Sequence, residues 1–595
     1  MTCTKPASSD PPSLEVCTRV ESWKATSARC LAASATHGGD REVTVGSNDV
    51  VFSQNKQNEP AVAADANHPN VLAAGANDNI DLEACNAGDP TTCPFTPGVG
   101  ISGVQFSFDS GDTWLQPTYT GWTARHCVGQ PGFTCTPQVG PIGTLPWYFE
   151  EGLASGGDPA LTFGPQPGPD GTFSWANGSR LYYANLTSNF GAEPAFKGFE
   201  AIGVSRIDGQ PALTSQIVAD KDNWKRPVIV SKQSSADFAD KEQLWADNAA
   251  SSSHFGNVYV CYAEFRGAGA APLAVSRSAD GGDTWTTKQV SPAHNVAPRL
   301  FGQSGCTVRT DSQGVVYVFY EEFQSASLGL PPAATHFLVK SFDGGVTWAR
   351  PIEVQRVTDP CFFVDPVIGR CVMDGVAGAR SDLAAAPSAD IANGAPTGAD
   401  ATDEIVLTWV DGRDGRNDEH VMVSYSTDRG ASWSAPAAVE RPASDRGYYS
   451  APALSPDGRD LYLVYNAFTT PFRNDTSSPR GLVGVVLHAN IGAAGAPTGW
   501  TVLHRGAEGD PRASSQNNLQ AEFLGDYVYA AATRDYGAAV WNDVRNGAVC
   551  SAINAWRAAL RQGSTAPPPA PNVDCPETFG NTDIFGGSYA DPTAP

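Results

Sequence analysis

The sequence lacks long hydrophobic runs and is poor in basic residues, and each shortage excludes a class of protein. No run approaches the roughly 18 apolar residues that a membrane-spanning helix requires, so we expect no membrane span. The 595 residues include 39 Lys and Arg against 63 Asp and Glu, a formal charge of −24. Because such a surface repels phosphate backbones, we expect no nucleic-acid partner. With 41% hydrophobic and 17% charged residues, the composition predicts a large buried core rather than an acidic disordered chain.

Several catalytic and metal-binding motifs are also missing. The sequence has no Gly-rich phosphate loop, no HExxH zinc motif and no CxxCH haem motif, so we expect no cofactor. The segment from Asp411 to Asp418 is rich in oxygen ligands but lacks a recognised calcium-loop spacing. It is therefore either a structural calcium site or a solvated turn.

The 13 cysteines suit disulfide bonds better than a zinc site, because no CxxC or HxxxH motif accompanies them. Close pairs stand in loop-like stretches: Cys85 and Cys93, Cys127 and Cys135, and Cys361 and Cys371. Loop-closing disulfides indicate an oxidising compartment. We expect an extracellular, secreted protein whose leader is not in this chain, and the alternative is a cytosolic protein with scattered thiols.

An internal repeat determines the predicted fold. The octapeptide Ser-x-Asp-x-Gly-x-Thr/Ser-Trp occurs at 107–114, 278–285, 341–348 and 426–433. Asp and Ser/Thr side chains can bond turn amides, Gly can take a positive φ, and Trp can pack on the sheet. These repeats resemble the Asp box, or bacterial neuraminidase repeat, of sialidases and related β-propellers. The resemblance implies an all-β propeller with the repeats on the face opposite the pocket.

A second repeat sets the number of blades. It is a β-rich run that ends in an aromatic residue and often in an acid followed by Arg, and a shorter strand precedes each copy. The seven copies are 71–78, 181–185, 258–266, 315–323, 405–413, 461–468 and 538–545. Seven units of about 75 residues predict a single propeller of seven four-stranded blades. The alternative is six blades, as in the sialidases that the octapeptides resemble.

The repeats also suggest domain boundaries. We place a Cys-containing extension at 1–40, the propeller at 41–561 and a Pro-rich tail at 562–595, with 42–52 as a candidate outer strand that closes the ring. Cys550 is a candidate partner for the tail residue Cys575.

The ends of the second strands supply candidate site residues, because they reach the face built by the loops between strands two and three and between blades. The candidate catalytic carboxylates are Glu264, Glu322, Asp411 and Asp543, and the candidate substrate-binding residues are Arg266, Arg413 and Arg545. Carboxylates can act as acid and base, and several Arg residues could hold a substrate carboxylate. The alternative is that an acid two residues before Arg forms a repeated structural salt bridge.

Two inner-strand segments add further candidates. The run Arg446 to Ser450 resembles the segment in which sialidases carry a tyrosine nucleophile, which makes Tyr449 a candidate nucleophile. Asp240 and Lys241 begin another inner strand, and they either line the pocket or cap the strand.

The long connection at 116–157 contains the aromatic residues Trp122, Trp147 and Tyr148. Aromatic planes stack on sugar rings, so these side chains are a candidate wall of a glycan cleft. The alternative is a loop that buries its own aromatic residues.

Together these features predict a secreted, carbohydrate-active propeller. The leading hypothesis is an exo-acting glycoside hydrolase resembling exo-α-sialidases, acting as a monomer on a carbohydrate, with an acidic sugar as one candidate. The alternative is a non-catalytic propeller that binds a glycan or a protein, since a fold alone cannot distinguish the two. Polysaccharide lyase chemistry has less support, because no distinctive Tyr/His pair is present.

Overall fold

The computed structural model describes residues 39–86, 95–130, 132–191, 193–231, 234–266, 271–293, 301–324, 333–492 and 494–593. Seven antiparallel sheets of three to five strands form a ring. The innermost strand of each sheet packs against the innermost strands of its two neighbours, around a closed circle. The chain is therefore a seven-bladed β-propeller. The prediction of seven blades is confirmed, and the alternative of six is wrong.

The chain enters the ring with β1 (Arg41–Glu42) and continues through the first four blades. Blade one contains β2 (Gln57–Ala64), β3 (Leu72–Asp78) and β4 (Ser102–Ser107), and the hairpin of β5 (Tyr119–Thr123) and β6 (Gln138–Ile142) follows it. Blade two contains β7 (Leu153–Ser155), β8 (Ala160–Pro167), β9 (Phe173–Asn189), β10 (Glu200–Gly209) and β11 (Trp224–Ile229). Blade three contains β12 (Asp237–Ala246), β13 (Val258–Arg266), β14 (Leu273–Ser278) and β15 (Thr286–Gln289). Blade four contains β16 (Phe301–Thr310), β17 (Val316–Gln324), β18 (Ala334–Ser341) and β19 (Ile352–Val357).

The remaining blades follow a two-stranded ribbon of β20 (Phe363–Val364) and β21 (Cys371–Val372). Blade five contains β22 (Ser388–Ile391), β23 (Ile405–Asp411), β24 (His420–Ser426) and β25 (Ala437–Ala438). Blade six contains β26 (Arg446–Leu454), β27 (Asp460–Phe468), β28 (Leu482–Ile491) and β29 (Pro497–Arg505). Blade seven contains β30 (Tyr529–Ala532), β31 (Tyr536–Asp543), β32 (Asp583–Ala590) and β1. Among the described residues the α-helices are Ser215–Ala219, Ser551–Arg561 and Pro571–Asp574, and the 3₁₀ turns are Asn79–Asp81, Phe149–Glu151, Lys221–Asn223 and Pro511–Ala513. Within the part of the chain that the structure describes, no helix is long and apolar enough to span a membrane.

Blade seven closes the ring with strands from both ends of the described chain. The N-terminal β1 pairs with the C-terminal β32, with Arg41 opposite Gly586. Because β32 also pairs with β31, the ring extends past the expected boundary at residue 561, to residue 590. The Pro run at 567–569 lies in a long insertion between β31 and β32, and the Cys550–Cys575 disulfide crosslinks that insertion.

The octapeptide repeats form tight turns after the third strands of blades one, three, four and five. In each copy the Ser hydroxyl donates to the Asp carboxylate at 2.8 Å, and the Gly N–H donates to the Ser oxygen at 2.8 Å. The shared Gly has a φ between 77° and 89°, which side chains rarely adopt. Since successive strands are antiparallel, these turns lie on the face opposite the starts of the inner strands.

Three further disulfides lie in the described part of the chain. Cys127–Cys135 and Cys361–Cys371 close loops between blades, as the sequence predicts. Cys261–Cys306 joins the second strand of blade three to the inner strand of blade four, a pair that sequence spacing did not indicate. Cys85 is disulfide-bonded, whereas its predicted partner, Cys93, lies outside the described residues.

Candidate functional site

Four consecutive blades share a distortion where their inner strands begin. Glu59, Asp158, Lys241 and Gly305 all have positive φ, at 55°, 52°, 59° and 60°. The strand register shifts at three of these positions. A left-handed backbone at a residue with a side chain costs about 1–3 kcal/mol and recurs at functional sites. Here it directs three charged side chains into one cavity.

The cavity, called the axial pocket below, has a volume of about 540 Å³. It lies on the ring axis, because its lining comes from where the inner strands of several blades begin. These residues include Lys56 and Glu59 of blade one, Asp158 of blade two, Asp240 and Lys241 of blade three, Ser304 of blade four, Arg380–Leu383 ahead of blade five, and Phe523 ahead of blade seven. One wall is the disulfide-bonded segment with Cys361 and Cys371. The volume lies within the usual range for small-molecule sites.

Two cations tie together carboxylates from different blades at the base of the axial pocket. The Lys241 ammonium lies 2.9 Å from Asp158 and 3.0 Å from Asp526. The Arg380 guanidinium lies 2.6 Å from the same Asp526 and 3.6 Å from Glu59. Blades one, two, three and seven and the segment before blade five are therefore joined by one charge network.

Within this network, the pKa values of Glu59 and Asp526 are shifted in opposite directions. Burial raises the pKa of the Glu59 carboxyl well above its usual range, and the negative charge of Asp158 raises it further. Burial alone would raise the pKa of Asp526, but the charges of Arg380 and Lys241 lower it below its usual range. When the pKa values of two carboxyl groups are shifted in opposite directions, one group can act as a proton donor and the other as a fixed negative charge.

Lys241 stays charged at the centre of the network. Burial alone would lower the pKa of Lys241, but Asp158, Asp240 and Asp526 raise it well above its usual range. The Asp240 carboxylate lies 3.9 Å from the ammonium and is 23% exposed. Burial raises the pKa of Asp240, and the nearby Lys241 charge opposes this rise.

Aromatic side chains add apolar surface to the axial pocket, which is lined by Phe95, Phe265, Phe323 and Phe523. Lys56 lies 5.0 Å from the centre of the Phe523 ring and donates to the Asn517 side-chain oxygen at 2.6 Å. Burial lowers the pKa of Lys56 to about 7. A sugar ring could stack on such aromatic faces.

The predicted acid–arginine residues lie elsewhere, in pairs inside their own blades. Arg266 contacts Glu264 at 2.7 Å, Arg413 contacts Asp411 at 2.7 Å, and Arg545 contacts Asp543 at 2.6 Å. Glu264 and Arg266 lie two residues apart on one strand and share a face. Asp411 and Asp543 end their strands, and each accepts a hydrogen bond from the backbone N–H of the Arg two residues on, in a turn that brings the guanidinium to the same carboxylate. Glu322 accepts a hydrogen bond from Gln303 at 3.0 Å. Among the described residues that line the axial pocket, none belongs to this set, so these side chains do not form the shared substrate grip that the sequence suggested.

The predicted aromatic wall packs against blade two. Trp147 lies between Lys221 and Arg226, each 4.4 Å from its ring centre. Tyr148 is buried, and its hydroxyl oxygen accepts a hydrogen bond from the Ser205 hydroxyl. Trp122 packs edge-on against other aromatic rings. These aromatic residues of the 116–157 connection therefore pack mainly against blade two, and among the described residues none of them lines the axial pocket.

Tyr449 is buried below the axial pocket. Its hydroxyl donates to the Arg380 carbonyl at 2.5 Å and lies 3.4 Å from an Asp526 oxygen. Burial raises the pKa of Tyr449 well above its usual range. It lines a separate cavity of about 60 Å³, which shares Lys241 and Leu383 with the axial pocket. This position supports the charge network but does not present the hydroxyl to the axial pocket.

Of the predicted site residues, Asp240 and Lys241 line the axial pocket. Sequence reasoning missed Glu59 and Asp158, although a signal was present. Both acids precede Pro at the start of an inner strand, in the similar runs Glu-Pro-Ala-Val and Asp-Pro-Ala-Leu. Arg380 and Asp526 carry no comparable local pattern, because they meet only through the ring.

Candidate metal ligands cluster away from the axial pocket. The two clusters among the described residues that are free of disulfide cysteines are Asp460 with His488 and Asp591, and Glu42 with Asp49 and Asp583. In the predicted calcium segment, Asp411 accepts hydrogen bonds from Arg413 and Trp409. The axial carboxylates instead surround the Lys241 ammonium.

Comparison with known proteins relates the chain to other propellers. No protein-family model and no curated protein matches it. A Hadza microbial sialidase is 14% identical, with 69% of this chain and 63% of that chain covered and a TM-score of 0.35. A Trypanosoma rangeli sialidase in complex with the inhibitor DANA is 13% identical, with 70% and 54% covered and a TM-score of 0.36. An ulvan lyase is 10% identical, with 84% and 93% covered and a TM-score of 0.38. The chain thus spans less than two thirds of either sialidase, and the likeness assigns no activity to it.

Proposed function

We propose that the chain is a glycoside hydrolase that cleaves a carbohydrate in the axial pocket. Glu59 would protonate the leaving glycosidic oxygen. Asp158, ion-paired with Lys241, would stabilise the positive charge that develops on the sugar ring and then accept a proton from water. The supporting observation is the neighbouring pair of carboxyl groups on blades one and two, of which Glu59 has a raised pKa.

The order of proton transfers follows from this pair. Glu59 starts as the neutral acid, so the leaving oxygen gains its proton as the glycosidic bond breaks. The water that adds to the anomeric carbon loses one proton to Asp158, and exchange with solvent restores the starting state. Lys241 and Arg380 would hold Asp158 and Glu59 in place, and Asp526 would anchor both cations.

We further propose an exo-acting, secreted monomer. A pocket on the ring axis, walled by several blades, suits the end of a glycan better than a chain lying across a groove. The four disulfides of the described residues support an oxidising compartment. Light scattering of the purified chain measures the mass, and mass spectrometry with and without reductant counts the disulfides.

A panel of fluorogenic aryl glycosides that covers neutral, amino, uronic and sialic sugars tests the hydrolase proposal. We expect turnover of at least one member and its loss in Glu59→Gln. The matched control is Glu264→Gln, which changes the same side chain at a second-strand end. Absence of turnover across the panel, with the chain folded, would reject the hydrolase.

The second candidate is a non-catalytic glycan-binding propeller. The deep burial of two carboxyl groups in the charge network favours this candidate, because the side chains of Glu59 and Asp526 are at most 1% exposed. Retention on a glycan column without turnover of any aryl glycoside would support this candidate.

A further inference from the structure

More acidic than basic side chains line the axial pocket, and most of the basic side chains already contact carboxylates. The acids are Glu59, Asp158, Asp240, Asp359 and Asp382, and the cations are Lys56, Lys241, Arg370 and Arg380. Three of the four cations already contact carboxylates, since Arg370 lies 2.7 Å from Asp382 and the network described above holds the other two. Lys56, the fourth, is directed to the Asn517 oxygen. Little positive charge is therefore left for an anionic ligand.

Two carboxyl oxygens of the axial pocket have no hydrogen-bond donor among the described residues. They are Oε1 of Glu59 and Oδ1 of Asp359, and both atoms are buried. The carboxyl group of Glu59 is 1% exposed, and its Arg380 contact of 3.6 Å is too long for a hydrogen bond. The same lining holds two buried donors without acceptors in the described part of the chain, Nε of Arg380 and the Ser381 hydroxyl, so the axial pocket offers both unpartnered acceptors and unpartnered donors to a ligand.

The carboxyl groups around the pocket also crowd one another. Burial raises the pKa of Asp359 to about 7, and the negative charge of Asp382 adds to this rise. Burial likewise raises the pKa of Glu200 to about 8, with further contributions from Asp240 and Asp158. A positive ligand would relieve this repulsion, whereas a sugar carboxylate would increase it.

We propose that the axial pocket selects a sugar that carries a protonated amine, of the 2-amino-2-deoxyhexose class. The proposal rests on the proposed function in one respect, namely that the axial pocket takes a carbohydrate. The ammonium group would donate to the unpartnered Asp359 oxygen as a charge-assisted hydrogen bond, while Glu59 remains the proton donor of the proposed hydrolysis. The rings of Phe265 and Phe323 would contact the apolar face of the sugar or the ammonium itself.

The proposal replaces the expectation of an acidic sugar. That expectation relied on Arg266, Arg413 and Arg545 acting together, and each is paired with a carboxylate in its own blade. The remaining cationic donors for an anion among the described lining residues are Lys56 and Nε of Arg380. Binding of an acidic sugar through Lys56 is therefore an outcome of the test.

Titration calorimetry of the full chain with three disaccharide probes tests the proposal at pH 6.5. The probes are chitobiose with free amines, its fully N-acetylated form, and a disaccharide that ends in glucuronic acid. We expect chitobiose to bind roughly tenfold or more tighter than the acetylated form, as one charge-assisted contact predicts. Asp359→Asn should remove most of this preference. Asp283→Asn, which removes the same charge from an exposed octapeptide turn, should leave it unchanged.

Two results would overturn the proposal. Equal affinity for the amine and the acetylated sugar would show that the amine is not recognised. Tighter binding of the glucuronic acid probe, abolished in Lys56→Met, would assign an anion site instead. The hydrolase proposal can fail independently. Turnover of neutral glycosides without a preference for the amine would support the hydrolase and reject the amine selectivity. Amine-selective binding without turnover would support the selectivity and reject the hydrolase.

Discussion

Carboxylates meet cations at two places in this propeller, and the two arrangements differ. At the ends of the second strands, pairs such as Asp411 with Arg413 and Asp543 with Arg545 recur, each formed by residues two positions apart. Where the inner strands begin, Lys241 and Arg380 each contact carboxylates that come from elsewhere in the ring. The first arrangement repeats with the fold, whereas the second occurs once and lines a cavity.

The comparison distinguishes charged pairs that belong to the scaffold from charged residues that form the candidate site. The turn that follows these strands brings the backbone N–H of the Arg to the carboxylate two residues before it, so the acid and the Arg meet wherever this local sequence recurs. The axial network instead places different charged residues at three of the left-handed positions that four inner strands share. In this ring, charged pairs that recur at equivalent positions of several blades therefore indicate structure, and charged residues that meet only through the ring indicate a candidate site.

Glu59→Gln should have the largest effect. Because the amide cannot give up a proton to the leaving group, kcat should fall by roughly 10²- to 10⁴-fold on any substrate that the wild type cleaves. Steady-state kinetics measures this, and circular dichroism checks the fold. In the wild type, kcat should decline as pH rises and Glu59 loses its proton. An unchanged kcat in Glu59→Gln would move the acid to another residue.

Asp411→Asn tests the repeated pairs. Asp411 is fully buried and accepts from Arg413 and Trp409, so removal of its charge should lower the free energy of unfolding by about 1–3 kcal/mol. Chemical denaturation measures the loss, and activity per folded molecule should stay at the wild-type level. Asp543→Asn, at the equivalent position of blade seven, should behave alike. A loss of turnover in either variant without destabilisation would place these pairs in the site.

Asp583→Asn examines an acid with no cation partner among the described residues. It lies directly across from Asp543 in blade seven. Burial and the negative charge of Glu42 raise its pKa to about 7 from 3.8. The unfolded chain releases this proton more readily, so stability falls as pH rises from about 4 to about 7.

The amide removes that penalty, and the Asn546 hydrogen bond to this side chain can persist. Asp583→Asn should therefore stabilise the chain by about 1–2 kcal/mol at pH 8 and change little at pH 4. Thermal unfolding at both pH values measures the difference. Equal effects at the two pH values would contradict the raised pKa.

Sequence patterns were sufficient for the scaffold but not for the candidate site. Octapeptides and strand runs are local, and they predicted seven blades, the face of the turns and the Cys361–Cys371 loop. The axial network joins residues more than 400 positions apart, such as Glu59 and Asp526, through cations on other blades. Only the bulge residues Asp240 and Lys241, adjacent in sequence, were accessible to local reasoning. Glu59 and Asp158 needed the comparison of two inner-strand starts.

Tyr449→Phe should have the smallest effect, and it decides between two accounts of the site. A nucleophile would be indispensable, so its loss would abolish turnover. The structure instead gives the hydroxyl a supporting contact with the Arg380 carbonyl, and loss of one such hydrogen bond is worth about 1 kcal/mol of stability. We expect kcat to change by less than about threefold, with Tyr448→Phe as the matched control because its hydroxyl also donates to backbone carbonyls. Complete inactivation by Tyr449→Phe alone, in a folded chain, would mean that the tyrosine reaches the substrate and that the axial carboxylates only support it.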